Sequence, residues 1–157
     1  MGREVRKVPA NWNHPKRSDG SFKPLFDGFT CRCEDWDREC AKWNAGEFAN
    51  WVSEESKKLT FEEYEGERPK PEDYMPDWSD EEATHFMMYE TTTEGTPISP
   101  AFETPEELAK WLFENKASSF GRMTASYDQW LRVARGGFAC SAVTTSDGRL
   151  VSGVEGV

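Results

Sequence analysis

The sequence predicts an α+β fold, in which about four helices pack on a small, mostly antiparallel sheet within a single domain. Three observations predict it. Residues 85–92 (HFMMYETT) have the aromatic and threonine content of a strand. Thr104 begins the run TPEELAKWL, which has the cap and first turn of a helix. Asp147-Gly148 lies between two short apolar runs and predicts a hairpin turn.

The length of 157 residues suits one domain. We expect an extended N-terminal arm over residues 1–30 and one α+β domain over residues 31–157. Three prolines prevent a long helix in the arm, namely Pro9, Pro15 and Pro24. Asp27-Gly28 favours a tight turn that holds the arm against the domain.

The first half of the domain combines a helical pattern with an acidic loop. Residues 33–58 predict a helix, and a break in its phase at Gly46 indicates a kink or two successive helices. The spacing of i, i+3 and i+4 is carried by Cys33, Trp36, Cys40 and Trp43. Residues 60–78 are acidic and contain three prolines, which predicts a loop. Ser79, with Glu82 three positions later, predicts a capped helical turn.

The second half has stronger local signals. The strand over 85–92 has apolar residues on both faces at its start, so we expect it to lie inside the sheet. The next helix begins after Thr104 and ends near Lys116. A further helix is capped by Thr124 and ends at Gly136-Gly137. The runs FACSAVTT and RLVSGV then form the final hairpin.

Charge and composition exclude several classes of function. The net charge is −10, whereas a duplex-DNA binder needs a basic face, so we expect no direct nucleic-acid binding. Residues 1–24 carry six bases and two acids and are interpreted as a solvated tail. No apolar run approaches the ~20 residues that span a bilayer, and no secretory signal opens the chain, so we expect no membrane association. Four cysteines without such a signal indicate reduced thiols in a cytoplasm.

No catalytic or cofactor motif occurs. Cys31, Cys33 and Cys40 are interpreted as structural thiols, with a metal site as the alternative. His85 beside Glu90 is a candidate for acid–base work, although an exposed strand-end histidine is the favoured interpretation. Without a nucleophile elbow, a P-loop or a dinucleotide fingerprint, the sequence predicts a protein that is not an enzyme and needs no cofactor.

The most unusual segment runs from residue 89 to 104. Its hydroxyls can bond a ligand or a partner, Gly95 permits close approach, and two prolines stiffen the loop. The candidate binding residues are Trp78, Tyr89, Thr91, Thr92, Thr93, Glu94, Gly95, Thr96, Ser99 and Trp111. The alternative is a rigid connection whose hydroxyls bond their own backbone.

The runs EGTPISP and ETPEELAKWL, followed by SFGRMTASYDQWL, resemble a set of small acidic proteins of tailed bacteriophages and prophages. PLFDGF and YMPDW nearer the N-terminus are similar to the same set, so the resemblance covers most of the chain. It implies a phage accessory product that acts in the bacterial cytoplasm, and it implies no particular chemistry.

We therefore expect a non-enzymatic binding protein of host-takeover or counter-defence type. It would block a host protein or sequester a small nucleotide-like ligand, and a homo-oligomer is compatible with either role. Its abundant tryptophan and tyrosine suit interface anchors. The alternatives are a small enzyme acting on a nucleotide derivative and a structural component of the virion.

Overall fold

A computed structural model describes residues 2–156, and its contacts divide the chain into two compact units. Unit 1 comprises Met1–Leu25 and Trp78–Val157, and unit 2 comprises Phe26–Asp77. Within the described residues the strands are β1 (Gly2–Val8), β2 (His85–Glu90), β3 (Thr96–Pro97), β4 (Phe138–Cys140), β5 (Ala142–Thr144) and β6 (Leu150–Ser152). The α-helices there are α1 (Phe29–Asn44), α2 (Phe61–Glu65), α3 (Pro105–Glu114) and α4 (Tyr127–Gly136). The predicted α+β class is confirmed.

Unit 1 is built on a four-stranded antiparallel sheet in the order β3-β2-β1-β4. The predicted strand at 85–92 is present as β2, with β1 and β3 as its neighbours, so its expected interior position is confirmed. The predicted hairpin at Asp147-Gly148 is present as the separate pair β5 and β6. No helix within residues 2–156 has both the length and the apolar character needed to cross a membrane.

The first strand corrects the interpretation of residues 1–24 as a solvated tail. β1 pairs with β2 on one side and β4 on the other, with Val5 opposite Met88. Arg3 is only 1% exposed, and its Nη1 lies 2.8 Å from Glu90 Oε1 while its Nε donates to Ser118 O at 2.8 Å. Because these partners satisfy the guanidinium, a charged segment can occupy the interior of the sheet.

The core of unit 1 lies where α3 and α4 cover the face of the sheet that carries Met88. Its buried residues are Met88, Leu108, Ala109, Leu112, Trp130, Val133, Ala134, Ala139 and Val154. Thr104 Oγ1 accepts a hydrogen bond from Glu107 N at 3.2 Å, which confirms the predicted cap of α3. The cap of α4 is Ser126 rather than the predicted Thr124, since Ser126 forms a reciprocal capping box with Gln129.

Two predictions for unit 2 are wrong. α1 ends at Asn44, and Gly46 adopts a φ of 79°. Residues 47–55, which were expected to be helical, are therefore not helical, and a single 3-10 turn follows at Ser56–Lys58. The stretch 60–78, predicted to be a loop, contains α2 and a further 3-10 turn. Thr60 and Glu63 form a capping box at the start of α2, a signal that the prolines downstream obscured.

Candidate functional site

The predicted binding loop at residues 89–104 is largely sealed by its own chain. Tyr89, Gly95 and Ser99 are buried, so these three predicted binding residues present no surface to a ligand or a partner. Ser99 Oγ accepts a hydrogen bond from Met88 N at 2.9 Å and donates to Pro100 O at 2.8 Å. These bonds are those of a rigid connection and leave no outward-facing hydroxyl at Ser99.

Two threonines of this loop also bond the backbone. Thr91 Oγ1 accepts from Gly2 N at 2.6 Å, and Thr93 Oγ1 donates to Glu90 O at 3.1 Å. Thr96 Oγ1 lies 2.5 Å from Thr93 Oγ1. Within residues 2–156, Thr92 and Glu94 are the members of the predicted set whose side chains are exposed and form no such hydrogen bond.

Gly95 makes a close approach, as predicted, but to the chain itself. Its φ is 98°, and a β-carbon added to it would lie 2.0 Å from Leu25 O. Leu25 N in turn donates to Gly95 O at 3.1 Å. The glycine is therefore required by the packing of two segments of unit 1.

The two tryptophans of the predicted set pack against other aromatic side chains. Trp78 packs edge-on against Trp12, with ring centroids 4.7 Å apart. Trp111 lies 6.2 Å from Phe102 and packs against the core. The structure does not bring the predicted residues together as one binding surface.

Tyr89 belongs instead to a buried polar chain with His14. His14 Nε2 lies 2.6 Å from Lys23 O, which can only accept, so this nitrogen carries the proton of the neutral ring. His14 Nδ1 then accepts from Tyr89 Oη at 3.1 Å, and Tyr89 Oη accepts from Trp12 Nε1 at 3.1 Å. Burial lowers the pKa of His14 below its ordinary value of 6.5, and the Arg6 guanidinium lowers it further against the opposing effect of the Lys23 hydrogen bond.

This arrangement predicts that acid weakens the fold. The pKa of His14 is lower in the folded protein than in the unfolded chain, where it is about 6.5. The contribution of His14 to the free energy of unfolding is therefore complete above about pH 6.5 and declines as the pH falls below that value. Urea unfolding at a series of pH values between about 7.5 and 5 measures the loss. A His14→Gln variant should have a flatter profile, and an equally steep profile in that variant would assign the loss to other groups.

The cysteines and His85 do not form a reactive centre. Cys31 is exposed while Cys33 is buried, and no cluster of three or more metal-ligating side chains exists within residues 2–156. His85 and Glu90 lie on opposite faces of β2, and Glu90 is paired with Arg3. The interpretation of His85 and Glu90 as an acid–base pair is therefore wrong.

An aromatic groove in unit 2 is the candidate functional site. Its volume is about 360 Å³, which is within the range of small-molecule and peptide-anchor pockets. Its aromatic residues are Trp36, Trp43, Phe48, Trp51, Phe61 and Tyr64, and we call the whole lining the Trp51 groove. It is bounded by α1, α2 and the segment that joins them.

Two helices position the wall of the Trp51 groove. Trp36 and Trp43 lie seven residues apart on one face of α1. Trp43 Nε1 donates to Leu59 O at 3.0 Å, and the Trp43 ring stacks on Tyr64 with centroids 4.4 Å apart. Since its polar atom is satisfied and its ring is wedged, Trp43 is a rigid part of the wall.

The chain reversal at Gly46 places the other side of the groove. Phe48 packs edge-on against Trp43 at 4.7 Å, and Val52 is buried beside it. Trp51, between them, is 83% exposed. Its side chain is thus a large apolar surface left in water at the edge of an aromatic wall.

Charged side chains surround these rings. The lining contains four acids and two bases, which are Asp35, Glu39, Glu47, Glu65, Arg32 and Lys42. Arg68, which follows α2, donates two hydrogen bonds of 2.8 Å to Asp37 of α1 and so lowers the pKa of the Asp37 carboxyl. These bonds connect the segment after α2 to α1. The groove therefore has a fixed wall and an acidic edge.

Sequence reasoning missed the Trp51 groove because its tryptophans follow the spacing of a buried helical stripe. The signal that could have found it is the interruption at Gly46, after which Trp51 no longer shares a helix with Trp43. No protein-family model, curated protein sequence or solved structure matches the chain.

Proposed function

We propose that this chain is a non-enzymatic binding protein that blocks a host protein through the Trp51 groove. In keeping with the sequence resemblance, it would be a phage or prophage accessory product of host-takeover or counter-defence type, acting in the bacterial cytoplasm. The observation that carries the proposal is the 83% exposure of Trp51 at the edge of an aromatic wall.

An exposed tryptophan leaves apolar surface in water in the isolated protein, and its burial stabilises a complex. Large exposed apolar patches mark interaction sites, and tryptophan is the residue most often found at the energetic centre of interfaces. Burying an aromatic side chain removes roughly 150–250 Å² from water. The neighbouring Trp43 and Tyr64 are stacked on each other, so little ordering of the wall is needed when a partner binds.

The Trp51 groove is less suited to the sequestration of a nucleotide. Its acids outnumber its bases by four to two, and phosphates would be repelled by them. Its described lining also contains no His, Cys, Ser or Thr, so it offers no imidazole base and neither an aliphatic hydroxyl nor a thiol as a nucleophile. Binding to a protein surface fits both the shape and the charge.

A capture experiment tests the proposal. The immobilised chain is exposed to lysate of the bacterial host, and proteins retained by the wild type are compared with those retained by Trp51→Ala and by Phe113→Ala. Phe113 is a matched control, because it is an aromatic residue on α3 of unit 1 that is 50% exposed. The retained partner is then purified and titrated directly.

We expect the wild type and Phe113→Ala to retain the same partner, and Trp51→Ala to bind it at least about 30-fold more weakly, as for an interface residue worth about 2 kcal/mol. Equal retention by Trp51→Ala would contradict the proposal. Stoichiometric incorporation of the chain into purified phage particles would favour a structural role instead.

A further inference from the structure

We propose that the occupant of the Trp51 groove is a basic segment of the partner protein. This segment inserts an apolar side chain beside Trp51 and places lysine or arginine next to Glu47 and Glu65. The inference rests on the proposed function, and it adds the chemical class of the partner.

The distribution of charge between the two units is the first argument. Unit 2 carries fifteen acids and seven bases, a net charge of −8, whereas unit 1 has fourteen acids and twelve bases and a net charge of −2. The unit that contains the groove therefore carries most of the negative charge. Such a field accelerates the approach of basic surfaces and disfavours acidic ones.

The ion pairs around the groove show which acids remain available. Asp35 lies 2.5 Å from Arg38, and Glu39 lies 2.8 Å from Lys42, so both carboxylates already have a cation. Such pairs present little net charge to a partner.

Two acids of the lining have no cation. Glu47 and Glu65 are exposed, and neither forms an ion pair with another residue in the range 2–156. Arg32 is the remaining base of the lining and partly offsets them. Two unpaired carboxylates against one base leave a local preference for a cationic ligand.

The aromatic surface suits the same chemistry. A guanidinium or ammonium over the face of an indole is attracted by the negative face of the ring, and tryptophan is the strongest partner for it. Unit 2 shows this contact at the edge of the groove, where Lys57 Nζ lies 5.6 Å from the centre of the Phe48 ring. The exposed ring of Trp51 can receive a partner's arginine or lysine in the same way.

Other occupants fit less well. A second copy of the chain would carry a net charge of −10, and its unit 2 would bring −8 against the identical charge of this unit. Nucleic acids, nucleotides and anionic lipid surfaces are negative as well and would meet the same repulsion. Among macromolecules, a basic protein segment with an apolar anchor matches both properties of the Trp51 groove.

The test uses two fluorescein-labelled synthetic peptides of equal length, one alternating Arg with Leu and one alternating Glu with Leu. Their binding to the full chain is followed by fluorescence anisotropy. The groove variant combines Glu47→Gln with Glu65→Gln. The matched control combines Glu81→Gln with Glu103→Gln, which removes the same charge from exposed positions of unit 1 outside the groove.

We expect the Arg–Leu peptide to bind and the Glu–Leu peptide not to bind. The groove variant should weaken binding about tenfold, the control variant less than about twofold, and the affinity should fall as salt rises from about 0.05 to 0.2 M. Equal weakening by the two variants would overturn the inference, because it would show attraction to net charge alone. Tight binding of the Glu–Leu peptide would overturn it too.

The two proposals can fail separately. If Trp51→Ala abolishes binding of the captured partner, while the groove variant and the salt concentration leave that binding unchanged, the proposed function stands and the basic segment is refuted. If Trp51→Ala binds the captured partner as tightly as the wild type does, the Trp51 groove is not the binding site.

Discussion

Gly95→Ala is expected to lower the free energy of unfolding by about 3 kcal/mol or more, among the largest effects of any single methyl group in this protein. The added carbon would lie 2.0 Å from Leu25 O, which is a backbone atom and cannot rotate away. Leu25 is held by its hydrogen bond to Gly95 O at 3.1 Å and by Arg6 Nη1, which donates to Leu25 O at 2.7 Å. Relief of the clash would break both contacts.

The matched control is Gly20→Ala. Gly20 has a φ of 85°, close to the 98° of Gly95, but a β-carbon there would have nothing within 4 Å. Gly20→Ala should lower the free energy of unfolding only by the strain of a left-handed conformation, about 1–2 kcal/mol. Urea unfolding of the two variants measures the difference, and equal losses would show that the close approach at Gly95 does not constrain the fold.

Arg3→Met is expected to lower the free energy of unfolding by about 3 kcal/mol, because it leaves Glu90 without its cation. Glu90 keeps some contact with water, which places the effect at the lower end of the range for a broken buried pair. Ser118 O would also lose the donor that lies 2.8 Å from it. The whole sheet depends on β1, so we expect a single cooperative loss.

Arg135→Met provides the comparison for Arg3→Met. Arg135 pairs with Glu106 at 2.6 Å, a shorter distance than that in the Arg3 pair, but both side chains are exposed. Its removal should leave stability nearly unchanged. Thermal unfolding of both variants checks this, and a similar shift for the two would mean that burial does not decide the strength of these pairs.

The helices and strands of the second half were predictable because their signals are local. Thr104 and Pro105 define the start of α3 within four residues, and the Asp147-Gly148 turn needs only its flanking runs. β1 could not be predicted in this way. Arg3 is stable inside the sheet because Glu90 and Ser118, more than eighty residues away in sequence, accept hydrogen bonds from its guanidinium.

The candidate site was hidden for the same reason. The hydroxyls of residues 91–99 suggested a ligand because the sequence does not show that Gly2, Glu90 and Met88 already bond them. Conversely, Trp51 follows the periodicity of a buried residue. Its exposure results from the chain reversal at Gly46. Some of its aromatic neighbours belong to α2, which the sequence did not predict because three prolines follow in the same stretch, 60–78.

We propose that the Trp51 groove, and not the loop at residues 89–104, binds the partner. Calorimetric titration of the purified partner into the wild type, Trp51→Ala and the double variant Thr92→Ala with Glu94→Ala compares the two surfaces directly, since Thr92 and Glu94 are exposed in the loop. We predict a loss of at least about 30-fold for Trp51→Ala and less than about twofold for the loop variant. The reverse order of effects would contradict the claim.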